Sequence, residues 1–491
     1  MTTARAITLD HPNALYIGGQ WVAPASPGHF DVLDCSTEQV VARVARAESA
    51  DAARAVAAAR QAFDQGPWPR LSPQERGVWL DKLAVKLEAL NDEFARIWSL
   101  ESGIVYKVAK PRLGLFIGAA FRQYAALANT FPFTEPRKAV TGHQAYCVRE
   151  PVGVVLAIVP WNGPAGLLAY KVAPALLAGC PVIIKCSPEA PCSGYLFAQA
   201  CEAIGLPPGV VNVITADRDV SEELVRHPGV DKITFTGSTA AGRKISAAAS
   251  ERVARVTLEL GGKSPALVLD DYDVTAAAQV IGGGFFGYLS GQVCHSLTRI
   301  LVPRAKQAAM VDALKAVAAK MVLGDPFDEA TTTGPLANAR QRETVERYVA
   351  RGLAEGAELA CGGRRPPQMV AGFFYEPTVF FNVDNRSTIA QEEIFGPVLC
   401  VIPYDSLEQA IEMANDTIFG LNAAVFTHDT AQALSVARRI RAGSVGHNAS
   451  RTDFSIGFGG FKQSGIGREG GEEGLMAFLE SKTIVVDAPH P

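Results

Sequence analysis

From residue 153 onward the sequence alternates short apolar, strand-like runs with helix-like segments. The runs are "GVVLAIVP", "PVIIKC", "GVVNVIT", "DKITFTG" and "RVTLELGG", and segments such as "AGLLAYKVAPALLAG" separate them. Near-continuous apolar strands that alternate with helices at intervals of roughly 20–30 residues are typical of parallel βαβ units. The pattern predicts an α/β fold with a doubly wound parallel sheet, which we assign to residues 151–260 together with the helix-rich residues 1–128.

A second strand and helix series begins near Ser264. It contains "RILVPR", "FFYEPTVFFNV", "GPVLCVIPYD" and "LNAAVFTHD". We assign residues 261–456 to a second α/β domain on this pattern.

Two segments fit neither domain: "KAVTGHQAYCVREPVG" and the tail "FLESKTIVVDA". Both are predicted to be exposed β ribbons, and an isolated ribbon needs a partner to be stable. Unpaired strand edges favour pairing with another subunit. We therefore assign residues 129–150 and 475–491 to a small oligomerisation ribbon and tail.

The composition is that of an ordinary globular protein. The chain has 491 residues, a net charge of −4 and 48% apolar residues, so it has no basic excess for nucleic acid and none is expected as a partner. No apolar run reaches the length of about 20 residues that a membrane span needs, so no membrane association is expected. The nine cysteines include no CxxC pair; we expect reduced thiols, a cytoplasmic location and no metal site.

Two strand ends of the first sheet offer positions for a cofactor. Parallel sheets bind ligands at the carboxyl ends of their strands, where helix N-termini present free N–H groups to phosphate. The run "KITF" leads into "TGSTAAG", which brings Gly237 and Ser238 to such an edge, and "PVIIKCSPEAP" brings Lys185 and Ser187. The alternatives are an ordinary N-cap at Ser238 and a solvated lysine at Lys185.

One cysteine differs from the others in its neighbours. Cys294 lies in "SGQVCHSLTR", where a glycine-bearing turn before the thiol admits a substrate and a helix start after it would favour the thiolate. His295 is a poor base for it, because adjacent side chains point in different directions. The alternative is an inert, packed thiol.

Polar residues at other strand ends could assist such a nucleophile. Glu259 is an acid within an apolar strand, so we expect its pKa to be raised and its role to be a general base; the alternative is an ion pair with Lys263. Asn162, in "VPWNGPAG", could donate to an oxyanion, or simply form a turn. Glu392 and Glu393 form an acidic pair in "AQEEIFGPV". The ordinary interpretation of such a pair is a solvent-exposed cap.

Together these residues fall in stretches that resemble one family. The stretches are "VPWNGP", "KITFTGST", "LELGGKSP", "GQVCHSLTR", "QEEIFGPV" and "GFGGFKQSGIGREGG", in this order between residues 159 and 471. The sequence strongly resembles the aldehyde dehydrogenase superfamily, in its NAD(P)-dependent, non-acylating branch. The resemblance implies a Rossmann-like cofactor domain, a second catalytic domain, and a homodimer or homotetramer.

The resemblance also implies the catalytic roles. Cys294 attacks a small-molecule aldehyde and forms a thiohemiacetal, whose oxyanion is held by the Asn162 amide and the Cys294 backbone N–H. Hydride transfer then leaves a thioester. Glu259 activates the water that hydrolyses it, and Lys171 relays protons near this base.

The implied cofactor is NAD. The resemblance places the pyrophosphate at Trp161 and Ser238, the adenosine ribose at Lys185, and the nicotinamide ribose at Glu393 and Phe395.

Two positions depart from the family pattern. Many NAD-using members have a glutamate where this chain has Pro188, and here the acid follows one residue later, at Glu189. A missing carboxylate removes a repulsion against a 2′-phosphate, so the sequence admits NADP as well. Gly457 replaces a proline, which bears on the rigidity of its loop.

Substrate contacts are implied just after the Trp-Asn pair, just before the cysteine and before the C-terminal Phe-Gly-Gly. These places hold Gly163, Gly166, Leu167, Tyr288, Leu289, Thr452 and Phe458, with Gly287 beside them. Small glycines and an apolar, aromatic wall predict a roomy tunnel for a bulky hydrophobic or aromatic aldehyde. Alternatively, the glycines serve only backbone turns. The sequence offers no cation for a substrate carboxylate except Arg451.

Two other functions remain open at this point. The protein could be a coenzyme A-acylating or esterase-type thiol acyl-transfer enzyme, although Glu259 argues against the acylating branch. It could also be a non-catalytic binding protein that keeps the fold.

Overall fold

The computed structural model describes residues 5–489, with the side chains of all of these except 114–116 and 488–489. Its strands are β1 (Leu15–Ile17), β2 (Gln20–Val22), β3 (His29–Leu33), β4 (Val40–Ala45), β5 (Thr134–Lys138), β6 (His143–Pro151), β7 (Val155–Ile158), β8 (Val182–Cys186), β9 (Val211–Thr215), β10 (Lys232–Thr236), β11 (Arg255–Glu259), β12 (Ser264–Val268), β13 (Leu297–Pro303), β14 (Glu358–Cys361), β15 (Thr378–Phe381), β16 (Val398–Tyr404), β17 (Asn422–Phe426), β18 (Ser444–His447), β19 (Gly465–Ile466) and β20 (Leu479–Pro489).

The helices alternate with these strands along most of the chain. They are α1 (Ser49–Asp64), α2 (Pro73–Ala89), α3 (Asn91–Ser102), α4 (Tyr106–Thr130), α5 (Pro164–Ala178), α6 (Cys192–Ala203), α7 (Arg218–Arg226), α8 (Thr239–Ser250), α9 (Val274–Phe286), α10 (Gln307–Ala319), α11 (Ala339–Ala354), α12 (Thr388–Gln391), α13 (Leu407–Asn415), α14 (Thr430–Ala437) and α15 (Gly471–Met476). No helix within residues 5–489 is long and apolar enough to cross a membrane.

The first sheet has eight strands in the order β19-β11-β10-β7-β8-β9-β1-β2. Its strands β7 to β11 are parallel, while β1 and β19 pair antiparallel at its flanks. Alternate residues of β7 face opposite cores: Val155 and Ala157 pack with α2 to α6, and Leu156 and Ile158 pack with α1, α7 and α8. Helices on both faces explain why these strands are apolar throughout.

The strand order of this sheet contains a switch point. From β7 the chain adds β8 and β9 on one side, then crosses to add β10 and β11 on the other. The loops that leave β7 and β10 therefore diverge and open a crevice between them. In doubly wound sheets this crevice is where ligands bind.

The second sheet has seven strands in the order β14-β15-β16-β13-β12-β17-β18, parallel except for β14. Residues 260–263 connect the carboxyl end of β11 to the amino end of β12, and β13, which pairs with β12, begins just after Cys294. The amino edge of the second sheet thus meets the carboxyl edge of the first. The α/β fold with two mostly parallel sheets confirms the fold predicted from the sequence. The domain boundaries proposed above stay a prediction.

The two ribbon segments differ from their description as unpaired. β6 pairs antiparallel with both β5 and β20, so the segments form one three-stranded sheet with β6 in its centre. β6 and β20 are distant in sequence. Their pairing begins with Pro151 opposite Leu479 and continues to His143 opposite Pro489. The expectation that this sheet joins subunits stays a prediction.

Candidate active site

The crevice at the switch point collects most of the residues proposed for the cofactor. Trp161 and Asn162 follow β7, Lys185 lies at the end of β8, and Gly237 and Ser238 follow β10. The β7 loop turns directly into α5, because Pro164 occupies its first turn and tolerates the lack of an N–H there. The crevice opens next to the segment that carries Cys294.

A left-handed turn positions the cysteine. Leu289, Ser290 and Gly291 have φ values of 52°, 50° and 75° in succession, a conformation that costs energy for residues with a side chain. Two hydrogen bonds hold the turn: the Ser290 hydroxyl donates to the Gly334 carbonyl at 2.5 Å, and the Gln292 amide to the Leu289 carbonyl at 2.8 Å. A Cβ on Gly291 would lie 2.6 Å from the Gly396 carbonyl oxygen, so only glycine fits.

The helix start expected after Cys294 is absent. β13 begins at Leu297 instead, so no helix dipole stabilises the thiolate. Burial raises the pKa of the Cys294 thiol, and the negative charges of Glu393 and Glu259 raise it further, against backbone N–H groups of His295 and Cys294 that lower it. The thiol is therefore protonated at neutral pH in the protein alone.

Asn162 is tied to the cysteine segment. Its side-chain amide nitrogen donates to the Gln292 carbonyl at 2.9 Å, and its backbone carbonyl accepts from the Trp98 indole at 2.7 Å. The Gln292 side chain in turn accepts from the Ala337 N–H at 2.9 Å. One N–H of the Asn162 amide is thus fixed, and the amide group, which lines the same cavity as Cys294, has its second N–H left for a ligand.

Glu259 is buried at the end of β11 and is 3% exposed. Neither of its carboxylate oxygens has a hydrogen-bond partner among the described residues. Burial raises the pKa of Glu259, and the charge of Glu469 adds to the rise while Lys171 and Arg468 oppose it. The alternative of an ion pair with Lys263 is not what the structure shows.

Lys171 does not contact Glu259 directly. Its ammonium forms an ion pair and hydrogen bond with Glu469, and both side chains are at most 2% exposed. Glu469 is a residue that the sequence reasoning missed, although it lies inside the quoted stretch "GREGG" as an acid among glycines. Backbone hydrogen bonds in both directions between Phe458 and Glu469, at 2.6 and 2.8 Å, hold it in place. These bonds also fix the loop in which Gly457 replaces proline.

The acidic pair is divided between two environments. Glu392 is exposed and accepts from the Tyr348 hydroxyl at 2.7 Å, as the solvated alternative expected. The Glu393 carboxylate accepts from the Gly262 N–H at 3.1 Å. Burial raises the pKa of Glu393 to about 7, against the Gly262 N–H and the charge of Lys263, which lower it.

The remaining cofactor candidates are arranged around the crevice. The rings of Trp161 and Phe395 meet edge to face, with their centroids 5.4 Å apart. Ser238 caps α8 by accepting from the Ala241 N–H at 3.3 Å, which is the N-cap that the sequence left as an alternative. The Gly237 N–H donates to the Glu259 carbonyl at 3.0 Å, so this N–H is not free for phosphate.

Lys185 and Ser187 are both 8% exposed, so the solvated-lysine alternative is wrong. The Ser187 hydroxyl donates to Glu189, and Arg340 donates to the other oxygen of that carboxylate at 2.6 Å. Burial alone would raise the pKa of Glu189, but these bonds hold that pKa below its usual range. Glu189 is thus an ionised carboxylate close to Lys185, whose pKa is lowered by burial and raised in part by this charge.

A cavity of about 140 Å³ brings the catalytic and substrate candidates together. Its walls are mostly apolar and aromatic. The predicted residues that line it are Cys294, Glu259, Asn162, Gly163, Gly166, Leu167, Tyr288, Leu289, Thr452 and Phe458. Gly287 and the exposed Arg451 do not line it.

Further lining residues were not found from the sequence. They are Trp98, Arg112, Leu113, Ala165, Tyr170, Thr236, Val293, His295, Phe454 and Glu469. Two of their rings form one wall with Phe458, because Tyr170 stacks on Phe454 at 4.6 Å and Phe454 contacts Phe458 at 4.5 Å between centroids. The residues from α3, α4 and α5 lie outside the six quoted stretches, so no local motif marks them; they are Trp98, Arg112, Leu113, Ala165 and Tyr170. Thr236, Val293, His295 and Glu469 lie within those stretches but were not assigned to the substrate.

Residues 21–484 match the model of the aldehyde dehydrogenase family. The chain belongs to the aldehyde dehydrogenase family. It is therefore an enzyme, an oxidoreductase, and aldehydes are its class of substrate. The assignment made from the six sequence stretches is confirmed.

Relatives of this aldehyde dehydrogenase family member match over nearly its whole length. The geranial dehydrogenase of Castellaniella defragrans is 43% identical over 97% of this chain and 99% of its own. A Mycobacterium tuberculosis aldehyde dehydrogenase complexed with NAD+ has a TM-score of 0.96 at 40% identity, covering 99% of this chain and 100% of that one. A mutant of Pseudomonas syringae aldehyde dehydrogenase C, complexed with NAD+ and octanal, has a TM-score of 0.94 at 40% identity with the same coverage.

The left-handed turn predicts a loss of activity in Gly291→Ala. The added Cβ must displace either the turn or the Gly396 carbonyl, and a shift of about 1 Å at a nucleophile can cost roughly 100-fold in rate. We expect aldehyde oxidation to fall by about 100-fold and the free energy of unfolding by about 1–3 kcal/mol. Steady-state kinetics and denaturant unfolding measure both. Gly283→Ala, in α9, is the control, because a Cβ there meets no atom within 4 Å; equal activities of the two variants would contradict the prediction.

The negative charge of Glu393 near the Cys294 thiol predicts that removing it makes the thiol more reactive. Removing the Glu393 charge in Glu393→Gln lowers the pKa of Cys294 and so raises the thiolate fraction at any pH below that pKa. We expect iodoacetamide to modify Cys294 about three to ten times faster at pH 8.5, as for a shift of about half to one pKa unit. Peptide mapping by mass spectrometry follows the Cys294 peptide alone.

Glu392→Gln is the matched control for this experiment, because it removes the adjacent but exposed charge. The modification rate of the unaltered protein should still be rising above pH 9.0, the ordinary pKa of a thiol. A plateau below that pH, or equal rates in the two variants, would show that the Cys294 pKa is not raised by Glu393.

Proposed function

We propose that the protein oxidises bulky apolar aldehydes to carboxylic acids with NAD as hydride acceptor, through covalent catalysis at Cys294. One observation carries the proposal: Cys294, Glu259 and Asn162 line one apolar cavity. A nucleophile, a base and an amide donor around a common space are what acyl chemistry on a carbonyl carbon requires.

The first step needs a base. The pKa of Cys294 is raised, so its proton must leave before sulfur can bond to carbon. Glu259 has a raised pKa and two oxygens without a hydrogen-bond partner among the described residues, which suits it to accept this proton, directly or through one water. The Cys294 sulfur then forms a C–S bond to the aldehyde carbon, and the carbonyl π electrons move to oxygen.

The resulting oxyanion needs donors that are already in place. The second N–H of the Asn162 amide and the backbone N–H of Cys294 serve as these donors. Because the bond to Gln292 fixes the amide plane, no reorganisation is needed as the charge develops.

The chain's own residues fit a dinucleotide at the adjoining crevice. NAD, when bound, accepts the hydride from the substrate carbon. Lys185, Ser238 and Trp161 would hold its adenosine and pyrophosphate side, and Glu393 with Phe395 its nicotinamide ribose. The Lys185 ammonium at the end of β8 and the half-buried Glu393 carboxylate are charged groups that can donate to and accept from ribose hydroxyls.

The carboxylate of Glu189 favours NAD over NADP. It lies close enough to Lys185 to raise that residue's pKa and stays ionised through its bonds to Ser187 and Arg340. A 2′-phosphate beside it would meet a like charge. Glu189 supplies the negative charge that is missing at the neighbouring Pro188.

Hydrolysis of the thioester completes the cycle. Glu259 takes a proton from water, the water oxygen bonds to the acyl carbon, and the C–S bond breaks to return the Cys294 thiolate and release the acid. The Lys171–Glu469 ion pair lies within electrostatic range of Glu259. It can receive the proton from Glu259 in the buried interior, which has few other acceptors.

The cavity wall supports a bulky apolar substrate. Tyr170, Phe454 and Phe458 form a continuous aromatic surface, and each CH₂ buried against such a surface contributes about 0.8 kcal/mol. Relatives named for geranial and complexed with octanal act on or bind aldehydes of this kind.

The covalent mechanism predicts different defects in two variants. Cys294→Ala should lower aldehyde oxidation by more than about 1,000-fold, because no thioester forms, while NAD binding persists. Glu259→Gln should lower steady-state turnover by about 100- to 10,000-fold but still give one slow burst of NADH per site. Stopped-flow absorbance and fluorescence titration of NAD measure these effects, with Cys361→Ala as the control.

Full activity of either variant would refute its assigned role. Repeating the assay with coenzyme A separates the alternative function: a strict need for coenzyme A would indicate an acylating enzyme, whose thioester is passed on rather than hydrolysed.

The apolar wall predicts the order of substrates. We expect kcat/KM for octanal, a terpenoid aldehyde and benzaldehyde to exceed that for acetaldehyde and succinic semialdehyde at least about tenfold, since two or more buried CH₂ groups contribute that much. NADH formation measures each value under identical conditions. A tenfold preference for acetaldehyde or succinic semialdehyde would overturn the proposed substrate class.

A further inference from the structure

The cavity described above is electrically polarised along its depth. At its buried end lie Glu259 and Glu469, which are 3% and 2% exposed. The Arg112 side chain lines the same cavity and is exposed, so it marks the side of the cavity nearest to solvent. Burial lowers the pKa of the lining His295 to about 4, with a contribution from the positive charge of Arg112, so this imidazole is neutral at pH 7. Arg112 is the one cationic side chain among the described lining residues.

Arg112 differs from the other basic residues of its helix. On α4, Lys107 donates to the Glu329 carbonyl, Lys110 pairs with Asp92 at 2.5 Å, and Arg122 pairs with Glu88 at 2.6 Å. Arg112 forms no ion pair with a carboxylate of the described residues.

The Arg112 guanidinium instead lies over the Tyr288 ring, with Cζ 4.3 Å from the ring centroid. Tyr288 meets Trp98 edge to face at 6.3 Å between centroids, so a second aromatic surface leads inward from the cation. The Tyr288 hydroxyl also accepts a hydrogen bond from Arg112, so the guanidinium is held in position while its other N–H donors can reach an oxygen acceptor.

We propose that Arg112 binds a carboxylate at the far end of the aldehyde, and that the enzyme accepts medium-chain ω-oxo carboxylic acids. The apolar chain of such a substrate contacts the aromatic walls, its aldehyde reaches Cys294 and its carboxylate reaches Arg112. The polarity of the cavity sets this orientation, because the carboxylate is attracted to the mouth and repelled from the acids at the buried end. This inference rests on the proposed function and extends it to a second recognition point.

The length of the substrate's carbon chain separates medium-chain ω-oxo carboxylic acids from short semialdehydes. The carboxylate of succinic semialdehyde is three bonds from its aldehyde carbon, so it would lie against the apolar wall beside Cys294 rather than at the mouth. A charge placed there is desolvated without a partner. Arg112 therefore favours only those acids whose chain spans the wall.

The test compares two substrates of equal chain length, octanal and 8-oxooctanoate. The quantity measured is the ratio of their kcat/KM values, 8-oxooctanoate over octanal. Arg112→Gln should lower this ratio about fivefold, as expected for an exposed, solvent-screened ion pair worth about 1 kcal/mol. The change should lie in KM rather than kcat, because the contact is equally present in the ground and transition states.

Two further variants distinguish charge from packing. Arg112→Lys keeps the cation and should restore most of the ratio, whereas loss of packing alone would lower the rates with both substrates in parallel. Arg122→Gln removes a charge from the same helix outside the cavity and should keep the parent ratio. In the parent, the ratio should fall as ionic strength rises from about 0.01 M to 1 M, where the screening length shortens from about 30 Å to 3 Å.

A ratio that is the same in Arg112→Gln as in the parent would overturn the role of Arg112, and so would a parent ratio insensitive to salt. If the parent oxidises neither octanal nor 8-oxooctanoate, the proposed function itself fails. The two failures are distinguished by the octanal rate of the parent.

Discussion

The hydrogen bond from the Asn162 amide to the Gln292 carbonyl joins a loop of the first sheet to a loop of the second. Each loop is also held within its own half of the molecule, Asn162 by Trp98 and Gln292 by Ala337. The two groups that the proposed mechanism uses as oxyanion donors therefore belong to loops of two different sheets, and this bond joins those loops. Catalytic groups must be fixed to within about 0.5 Å to act together, and here one bond across the cleft performs that task for both sheets.

The acids of the site owe their properties to burial rather than to any special partner. Glu259 has a raised pKa because water is excluded from it and because Glu469 lies near. Glu469 is itself compensated by Lys171, so an ion pair lies near Glu259, whose own carboxylate oxygens have no hydrogen-bond partner among the described residues. An acid in that position takes up a proton readily, which suits the proposed role of Glu259 as a base that alternates between two protonation states.

Much of the fold could be predicted, because apolar periodicity and the order of strands determine a doubly wound sheet almost by themselves. Glu259 and Asn162 were singled out by their place at strand ends and Cys294 by the glycine-bearing turn before it, and the family resemblance then implied their roles. What could not be predicted depended on tertiary contacts. Strand β13, which begins at Leu297, stands where a helix start was expected after Cys294. The left-handed conformation of the turn at Leu289–Gly291 depends on bonds to distant residues such as Gly334. Arg112 was missed because it lies in an ordinary amphipathic helix, far from any motif.

The reciprocal backbone bonds between Phe458 and Glu469 join a ring of the cavity wall to the carboxylate that we propose takes part in proton transfer. Any replacement that reshapes the wall at Phe458 will also move the acid behind it. The wall contributed by α4, which carries Arg112 and Leu113, meets the cysteine segment through the contact of Arg112 with the Tyr288 ring rather than through backbone bonds. Side chains of α4 can therefore change with less effect on the position of the acids than changes in the C-terminal loop, and sequence divergence among enzymes of this architecture should be unequal on the two sides of one cavity.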